Sequence, residues 1–261
     1  MTETEWLGST KPGAMLEYLR IGHLASDRKL RLFLVACCSR ILHLLVDERS
    51  RRAVEIAGRF AEGQATEEDL LAARRPASEF SKMAFDATAN YLEEDDEHEE
   101  PVHLPGFHAA AATSSAAYAA SYTVMVPAQL SRAVACRGVE TGFVAMSADG
   151  AARAVYHAMA DADEVAATAA LAAEDVSQCR LLRDIVGNPF HVVRFNPTWN
   201  TQRATALAQR MYESQDFSSM PELADALEDA GCTNADMLNH CRDEDLHVRG
   251  CWVVDLILGK N

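Results

Sequence analysis

Apolar residues recur at the spacing of an α-helix along the N-terminal part of the chain. Between residues 27 and 45 they follow the i, i+3, i+4, i+7 pattern that places side chains on one face of a helix. Ser26 precedes this segment and is predicted to cap it, because its side chain can accept a hydrogen bond from a free amide of the first turn. A shorter helix is predicted upstream, over residues 13–20. The apolar positions of the longer helix are Leu30, Phe33, Leu34, Cys37, Ile41, Leu44 and Leu45.

Two further helices are predicted before the first long polar stretch. Asp47 is the expected N-cap of one of them, which Gly63 ends. Thr66 begins a segment that resembles a capping box and opens the next helix. Pro76 is expected to break or kink that helix, and residues 79–92 continue or restart it. The N-terminal part is therefore predicted to consist of antiparallel helices joined by short turns.

The second half of the chain shows the same sequence signals for the starts and ends of helices. Helices are predicted over residues 108–136, 151–159 and 161–186, and Gly187 and Pro189 should stop the last of these. Four more follow, from residue 201 to Tyr212 and over 221–230, 234–242 and 247–258. The segment 191–195, HVVRF, is the one short strand-like piece. The predicted fold class is all-α, an irregular multi-helix bundle or a short stacked-helix array.

An acidic segment interrupts the helical pattern at residues 93–107, EEDDEHEEPVHLPGF. Its charges, its two prolines and its glycine predict an exposed loop. This loop divides the chain into a predicted N-terminal helical lobe, residues 1–92, and a C-terminal helical lobe, residues 108–261. A single domain that includes both lobes is the alternative.

Charge and composition exclude some classes of partner. A net charge of −15 disfavours nucleic acid, whose binding depends on Lys and Arg that neutralise phosphates. The uncharged run 109–130 is rich in Ala, Ser and Thr and contains Pro127, so a buried helix is favoured over a membrane span. Seven cysteines without regular disulfide spacing, and an N-terminus without a signal-peptide pattern, predict a cytoplasmic protein.

The densest group of chemically capable side chains lies near the C-terminus. On a helix, His247 and Cys251 would share one face at i, i+4, which suits two ligands of one metal ion. With Cys232 and Cys241 they form a candidate zinc site of four ligands. His240 and Cys241 are neighbours and point about 100° apart on a helix, so at most one of them would bind the metal. The alternative is a buried core, because no C-x2-C pair is present and free cysteine is often buried.

The acidic loop carries a second, weaker candidate metal cluster, His98, His103 and His108. The alternative is a solvated loop, because a spacing of five residues puts none of these histidines on a shared helical face. Cys37 and Cys38 with His43 resemble a nucleophile and its base, but Cys37 lies on the apolar face and a core role is predicted. No phosphate-binding, dinucleotide-binding or serine-hydrolase motif occurs in the chain.

Four segments carry a resemblance to a known group of proteins: SDRKLRLFLVACCSRILHLLVDERSRRAVEIAGRFAEG, LLRDIVGNPF, LADALEDAGCTNADMLNHCR and HVRGCWVVDLILGK. They resemble an uncharacterised bacterial all-helical family found among hypothetical and repeat-companion-type proteins. The resemblance covers most of the chain apart from the acidic loop and the alanine-rich helix. It implies an intracellular protein and transfers no catalytic residue.

Two functions of different classes follow from these patterns. The first is an intracellular helical module for protein–protein interaction or scaffolding, favoured by the amphipathic helices and by the lack of a complete catalytic constellation. The alternative is a metal-binding protein or a metal-dependent enzyme that uses the C-terminal Cys and His residues or the His103–His108 loop. No catalytic residue is predicted, and zinc is the only candidate cofactor.

Overall fold

The computed structural model describes residues 1–93, 153, 157 and 164–260 of the chain. Within these residues the secondary structure is helical and includes no strand, which confirms the all-α prediction. Residues 191–195 are irregular there. The helices are α1 (Glu3–Gly8), α2 (Pro12–Gly22), α3 (Asp27–Arg40), α4 (Glu48–Ala61), α5 (Glu67–Glu93), α6 (Glu164–Val186), α7 (Gln202–Ser214), α8 (Met220–Asp229), α9 (Ala235–Arg242) and α10 (Trp252–Leu258), with a 3-10 turn at Pro197–Trp199.

Several predicted segments lie outside the described residues. They are the helix over 108–136, the uncharged run 109–130 and, apart from residues 153 and 157, the helix over 151–159. Among the helices that are described, none is both long and apolar enough to cross a membrane.

Three of the predicted helix starts, those at Ser26, Asp47 and Thr66, are present and hydrogen-bonded. The Lys29 amide donates to the Ser26 hydroxyl at 3.3 Å, and the Arg49 amide donates to the Asp47 carboxylate at 2.9 Å. At the start of α5, the Asp69 amide donates to Thr66 Oγ1 at 3.1 Å, while the Thr66 amide donates to Asp69 Oδ2 at 2.8 Å. This reciprocal pair is the predicted capping box. Helix α5 then continues through Pro76 without ending.

Two predicted helices are shorter than their apolar patterns. Helix α3 ends at Arg40, and residues 41–44 form turns that still bury Ile41. The segment 247–258 becomes helical only at Trp252, so the prediction of a helix from His247 is wrong. Gly250 has a φ of +99°, a backbone angle incompatible with a continuous right-handed helix, and this glycine ends the preceding turn.

Contacts divide the chain into two compact units. The first, Ser9–Cys179, contains α2 to α5 and most of α6, with α3 packed on α4 and α4 packed on α5. Cys37 and Cys38 are fully buried in it and His43 is exposed, which confirms their predicted core role. An ion pair of 2.9 Å joins Arg40 to the buried Glu174.

The second unit, Met1–Gly8 with Arg180–Asn261, is called the C-terminal unit below. It contains α1, the last turns of α6, and α7 to α10. Trp6 of α1 is fully buried, and Arg183 donates two hydrogen bonds to the Trp6 carbonyl, at 3.1 and 3.0 Å. The predicted boundary at 93–107 lies almost wholly outside the described residues, so the two-lobe division stays a prediction. Core members include Leu207, Met211, Leu223, Leu227, Cys232, Met237, Cys241, Val253 and Ile257.

Candidate metal site

Four side chains capable of binding a metal converge inside the C-terminal unit. They are Asp184, His240, His247 and Cys251, and one potential ligand atom from each lies within 4.8 Å of the others. They come from four places: the last turn of α6, helix α9, the loop after it and the residue before α10. This group could hold a metal ion, and it is called the 184–251 cluster below.

The local sequence explains how each segment is held. Asp184 lies on a turn of α6 whose neighbours Leu181, Leu182 and Ile185 are fully buried, so its side chain is buried as well. Helix α9, which carries His240, begins at an N-cap where the Asn234 side chain accepts from an amide at 2.9 Å. The tight turn that precedes α10 is closed by a 2.9 Å hydrogen bond from the Cys251 amide to the Val248 carbonyl.

Asp184 is the centre of the cluster. Its Oδ1 lies 2.8 Å from His247 Nδ1 and 3.2 Å from His240 Nε2. Its Oδ2 accepts a hydrogen bond of 2.9 Å from the Val248 amide. The carboxylate therefore fixes the loop between α9 and α10 onto the end of α6, with only 3% of its side chain exposed.

The two imidazoles and the thiol complete the group. His240 Nε2 lies 3.2 Å from Cys251 Sγ, and the rings of His240 and His247 meet edge to face with centroids 4.8 Å apart. The second ring nitrogen of His247, Nε2, is buried and makes no hydrogen bond of good geometry. His240 is the most accessible member, with 18% of its side chain exposed.

Electrostatics within the cluster favour charge on Asp184 and His247. Burial alone would raise the pKa of Asp184, but hydrogen bonds from His240 and His247 outweigh it and hold that pKa below its usual range. Burial would lower the pKa of His247, yet the Asp184 carboxylate raises it overall. Burial, reinforced by Asp184, raises the pKa of the Cys251 thiol well above its ordinary value. A cation placed among these groups would reverse the effect on the thiol, because metal binding deprotonates cysteine.

A thiol nucleophile is a poorer interpretation of the same contacts. Cys251 is fully buried, and the same nitrogen of His240 faces both Cys251 and Asp184. A nucleophile activated by a histidine needs the carboxylate on the opposite ring nitrogen, where it orients the base. Four potential ligand atoms within 4.8 Å of one another are instead an arrangement that could hold a metal ion.

The structure brings together two of the four residues predicted from sequence. His247 and Cys251 belong to the cluster, although no shared helical face joins them. Cys232 and Cys241 lie in the hydrophobic core of the same unit and outside the group. Burial raises the pKa of Cys241 to about 12, as expected for a thiol among apolar side chains.

Asp184 was not identified from the sequence as a candidate ligand, and His240 was considered there only as an alternative to Cys241. The sequence signal for Asp184 is a lone acidic residue within LLRDIV, a segment in which four of the other five residues are apolar. Such a residue requires a buried partner, but the partner's position is not visible in the pattern. The second predicted cluster, His98, His103 and His108, lies outside the described residues.

Comparison of the chain with protein-family models, curated proteins and solved structures finds no match.

Proposed function

We propose that the chain is a metal-binding protein whose C-terminal unit holds one divalent transition-metal ion, with zinc as the best fit. Asp184, His240, His247 and Cys251 are the proposed ligands. The observation that carries the proposal is their convergence within 4.8 Å from four separate segments of the chain. Hydrogen bonding alone explains part of this packing, but it does not require a thiol beside two imidazoles and a carboxylate.

The donor set favours zinc over the hard cations. One thiolate, two imidazoles and one carboxylate are all common zinc ligands, whereas Mg²⁺ and Ca²⁺ select oxygen atoms. In a tetrahedral site with bonds of about 2.0 to 2.3 Å, two ligand atoms lie roughly 3.3 Å or slightly more apart. The contacts of His240 Nε2 to Asp184 Oδ1 and to Cys251 Sγ are both 3.2 Å, close to that separation. His247 Nδ1 lies 2.8 Å from Asp184 Oδ1, a hydrogen-bond distance that would have to lengthen when both atoms bind a metal.

Charge balance also supports a divalent ion. When Asp184 and Cys251 are both ionised, their two negative charges neutralise a dication held by two neutral histidines. This matters because an unbalanced charge at a buried position is costly. Three of the four side chains are at most 5% exposed, so solvent would compensate little.

The proposed role of the ion is structural. Four protein ligands fill a tetrahedral shell and leave no position for a substrate, which is typical of structural zinc. The ion would join the end of α6 to α9, to the loop that follows and to the start of α10. Because such a site is not formed in an unfolded chain, the binding free energy would add to the stability of the C-terminal unit.

Metal analysis of matched cysteine variants tests this proposal. Protein purified in the presence of a thiol reductant should contain about one zinc per chain by mass spectrometry, as in other closed four-ligand sites. Cys251→Ala should lose that zinc, while Cys241→Ala, a change at a buried cysteine of the same unit, should keep it. Loss of zinc from both variants to the same degree would favour the ligand set predicted from sequence. Wild-type protein that is folded, free of metal and unable to take up zinc would refute the proposal.

The helical interaction module predicted from the sequence stays a prediction. No contact among the described residues identifies a surface for a partner protein. It is compatible with a structural metal, because a metal-stabilised helical unit can also bind a partner.

A further inference from the structure

An aromatic side chain packs against the most exposed ligand of the 184–251 cluster. Trp252 is the first residue of α10 and follows the proposed ligand Cys251 directly. Its ring centroid lies 5.3 Å from that of His240, with the two ring planes inclined by 46°. Trp252 thus contacts the imidazole whose side chain is 18% exposed, while Asp184 and Cys251 are nearly or fully buried.

The backbone that Trp252 packs against lacks a side chain. Gly187 follows the end of α6, three residues after Asp184, and has a φ of +80°. A Cβ atom added there would lie 3.1, 3.2 and 3.4 Å from three adjacent atoms of the indole five-membered ring. The position therefore requires glycine for two reasons, its left-handed backbone and the close approach of the indole.

Through these contacts, Trp252 connects the segment that carries Asp184 with the segment that carries Cys251. Gly187 is close in sequence to Asp184, and Trp252 is adjacent to Cys251, so the indole is held by segments that also carry ligands. Its contact with His240 limits the orientations open to that imidazole. A ligand held in its binding orientation before the metal arrives loses less conformational freedom on binding.

We propose that Trp252 is a positioning residue for the metal site, one that holds the His240 ring with Nε2 directed towards Asp184 and Cys251, and that Gly187 makes this position of the indole possible. The inference rests on the proposed metal function. Trp252 donates no ligand atom in this role. It acts through His240, and the expected consequence of its loss is a weaker and less regular site in a protein that still folds.

Metal titration of four variants and the wild type tests the inference. Trp252→Leu removes the ring, Trp252→Phe keeps a flat one, and Gly187→Ala displaces the indole. Trp199→Leu is the matched control, since Trp199 is a tryptophan of the same unit whose ring packs edge to face on Phe195, with centroids 5.8 Å apart. Each protein is freed of metal, checked for folding by circular dichroism and titrated with Zn²⁺ against a chromophoric chelator. Co²⁺ absorption then reports the coordination geometry.

The expected result is a loss of zinc affinity of about 10-fold in Trp252→Leu, the lower end for a residue that orients a ligand. The Co²⁺ spectrum should change in Trp252→Leu and Gly187→Ala, and Trp252→Phe should recover most of the affinity. Trp199→Leu should lower the unfolding temperature but leave both metal readouts unchanged.

Three results would overturn the inference in distinguishable ways. If Trp252→Leu and Gly187→Ala bind zinc with the affinity and Co²⁺ spectrum of the wild type, Trp252 does not position His240, and the metal function stands. Equal losses in Trp199→Leu and Trp252→Leu would also contradict it, because they would indicate a general effect of core packing. A wild-type protein that binds neither ion would refute the metal function and this inference together. If Trp252→Leu does not fold, Gly187→Ala decides the question, because its added Cβ crowds the indole while the ring itself is kept.

Discussion

Replacement of Asp184 by asparagine keeps the shape of the side chain at the centre of the 184–251 cluster and removes its charge. In the wild type one carboxylate oxygen faces the nitrogens of His247 and His240 at 2.8 and 3.2 Å, and the other accepts from the Val248 amide at 2.9 Å. Asparagine has one acceptor oxygen and one NH2 group. With its oxygen towards the histidines, its NH2 group faces the Val248 amide, which is also a donor; with its NH2 group towards them, the histidine nitrogens must lose their protons to accept.

The size of the effect follows from those three contacts. If the oxygen stays with the histidines, the Val248 amide is left buried without an acceptor, which costs about 1–3 kcal/mol. The two contacts to histidine also change from charged to neutral hydrogen bonds, a loss of about 1 kcal/mol each. The sum, about 3–5 kcal/mol, agrees with the cost of about 3–5 kcal/mol for removing one partner of a buried ion pair. We therefore expect Asp184→Asn to lower the free energy of unfolding by about 3 kcal/mol or more in the absence of metal.

Urea unfolding followed by circular dichroism, with a chelator and then with excess zinc, measures both roles of this residue. At a free zinc concentration of 100 times Kd, the wild type should gain about 2.7 kcal/mol, and the variant should gain less. Asp229→Asn is the control, because its side chain is 73% exposed, and we expect a change within about 0.5 kcal/mol.

Two outcomes of this experiment would contradict the reasoning separately. A difference below about 1 kcal/mol between wild type and Asp184→Asn in chelator would refute the argument from the buried charge. A difference that zinc does not increase would show that Asp184 is not a ligand, even if the carboxylate stabilises the loop.

Two further outcomes are expected at other sites. Trp6→Ala should lower the free energy of unfolding by about 3–5 kcal/mol because the indole is fully buried, whereas Leu7→Ala, at a residue that is 54% exposed, should cost far less. Urea unfolding compares the two variants, and equal effects would contradict the packing of α1 within the C-terminal unit. Cys37 should resist iodoacetamide in the folded protein at mildly alkaline pH, because burial raises the pKa of its thiol well above the ordinary value; peptide mass mapping that finds rapid modification would disprove this.

Local sequence patterns predicted most of the helices that the structure describes, although not α1, and several of their starts. Ser26, Asp47 and Thr66 cap helices as expected, because a cap depends on residues only two or three positions apart. The apolar spacing of residues 27–45 identified side chains that are buried, but it did not show that the helix ends at Arg40. A turn can bury an apolar residue as well as a helix can. The apolar spacing therefore continues past Arg40, the last helical residue.

The C-terminal cluster shows the limit of such patterns. His247 and Cys251 were selected as helical neighbours, but Gly250 ends that geometry and the two residues meet through a turn. A positive φ at glycine is invisible in the apolar spacing, because glycine is compatible with either backbone region.

Asp184 lies 63 residues before its partner His247 and carries no local sign of that contact. Hydrogen bonding within each segment and the alternation of apolar and polar residues dictate the helices of this chain. Which of the candidate ligands meet depends on how the end of α6, α9 and the loop before α10 pack together. That packing is set by contacts between residues far apart in sequence, so it selected Asp184 and His240 for the cluster and left Cys232 and Cys241 in the core.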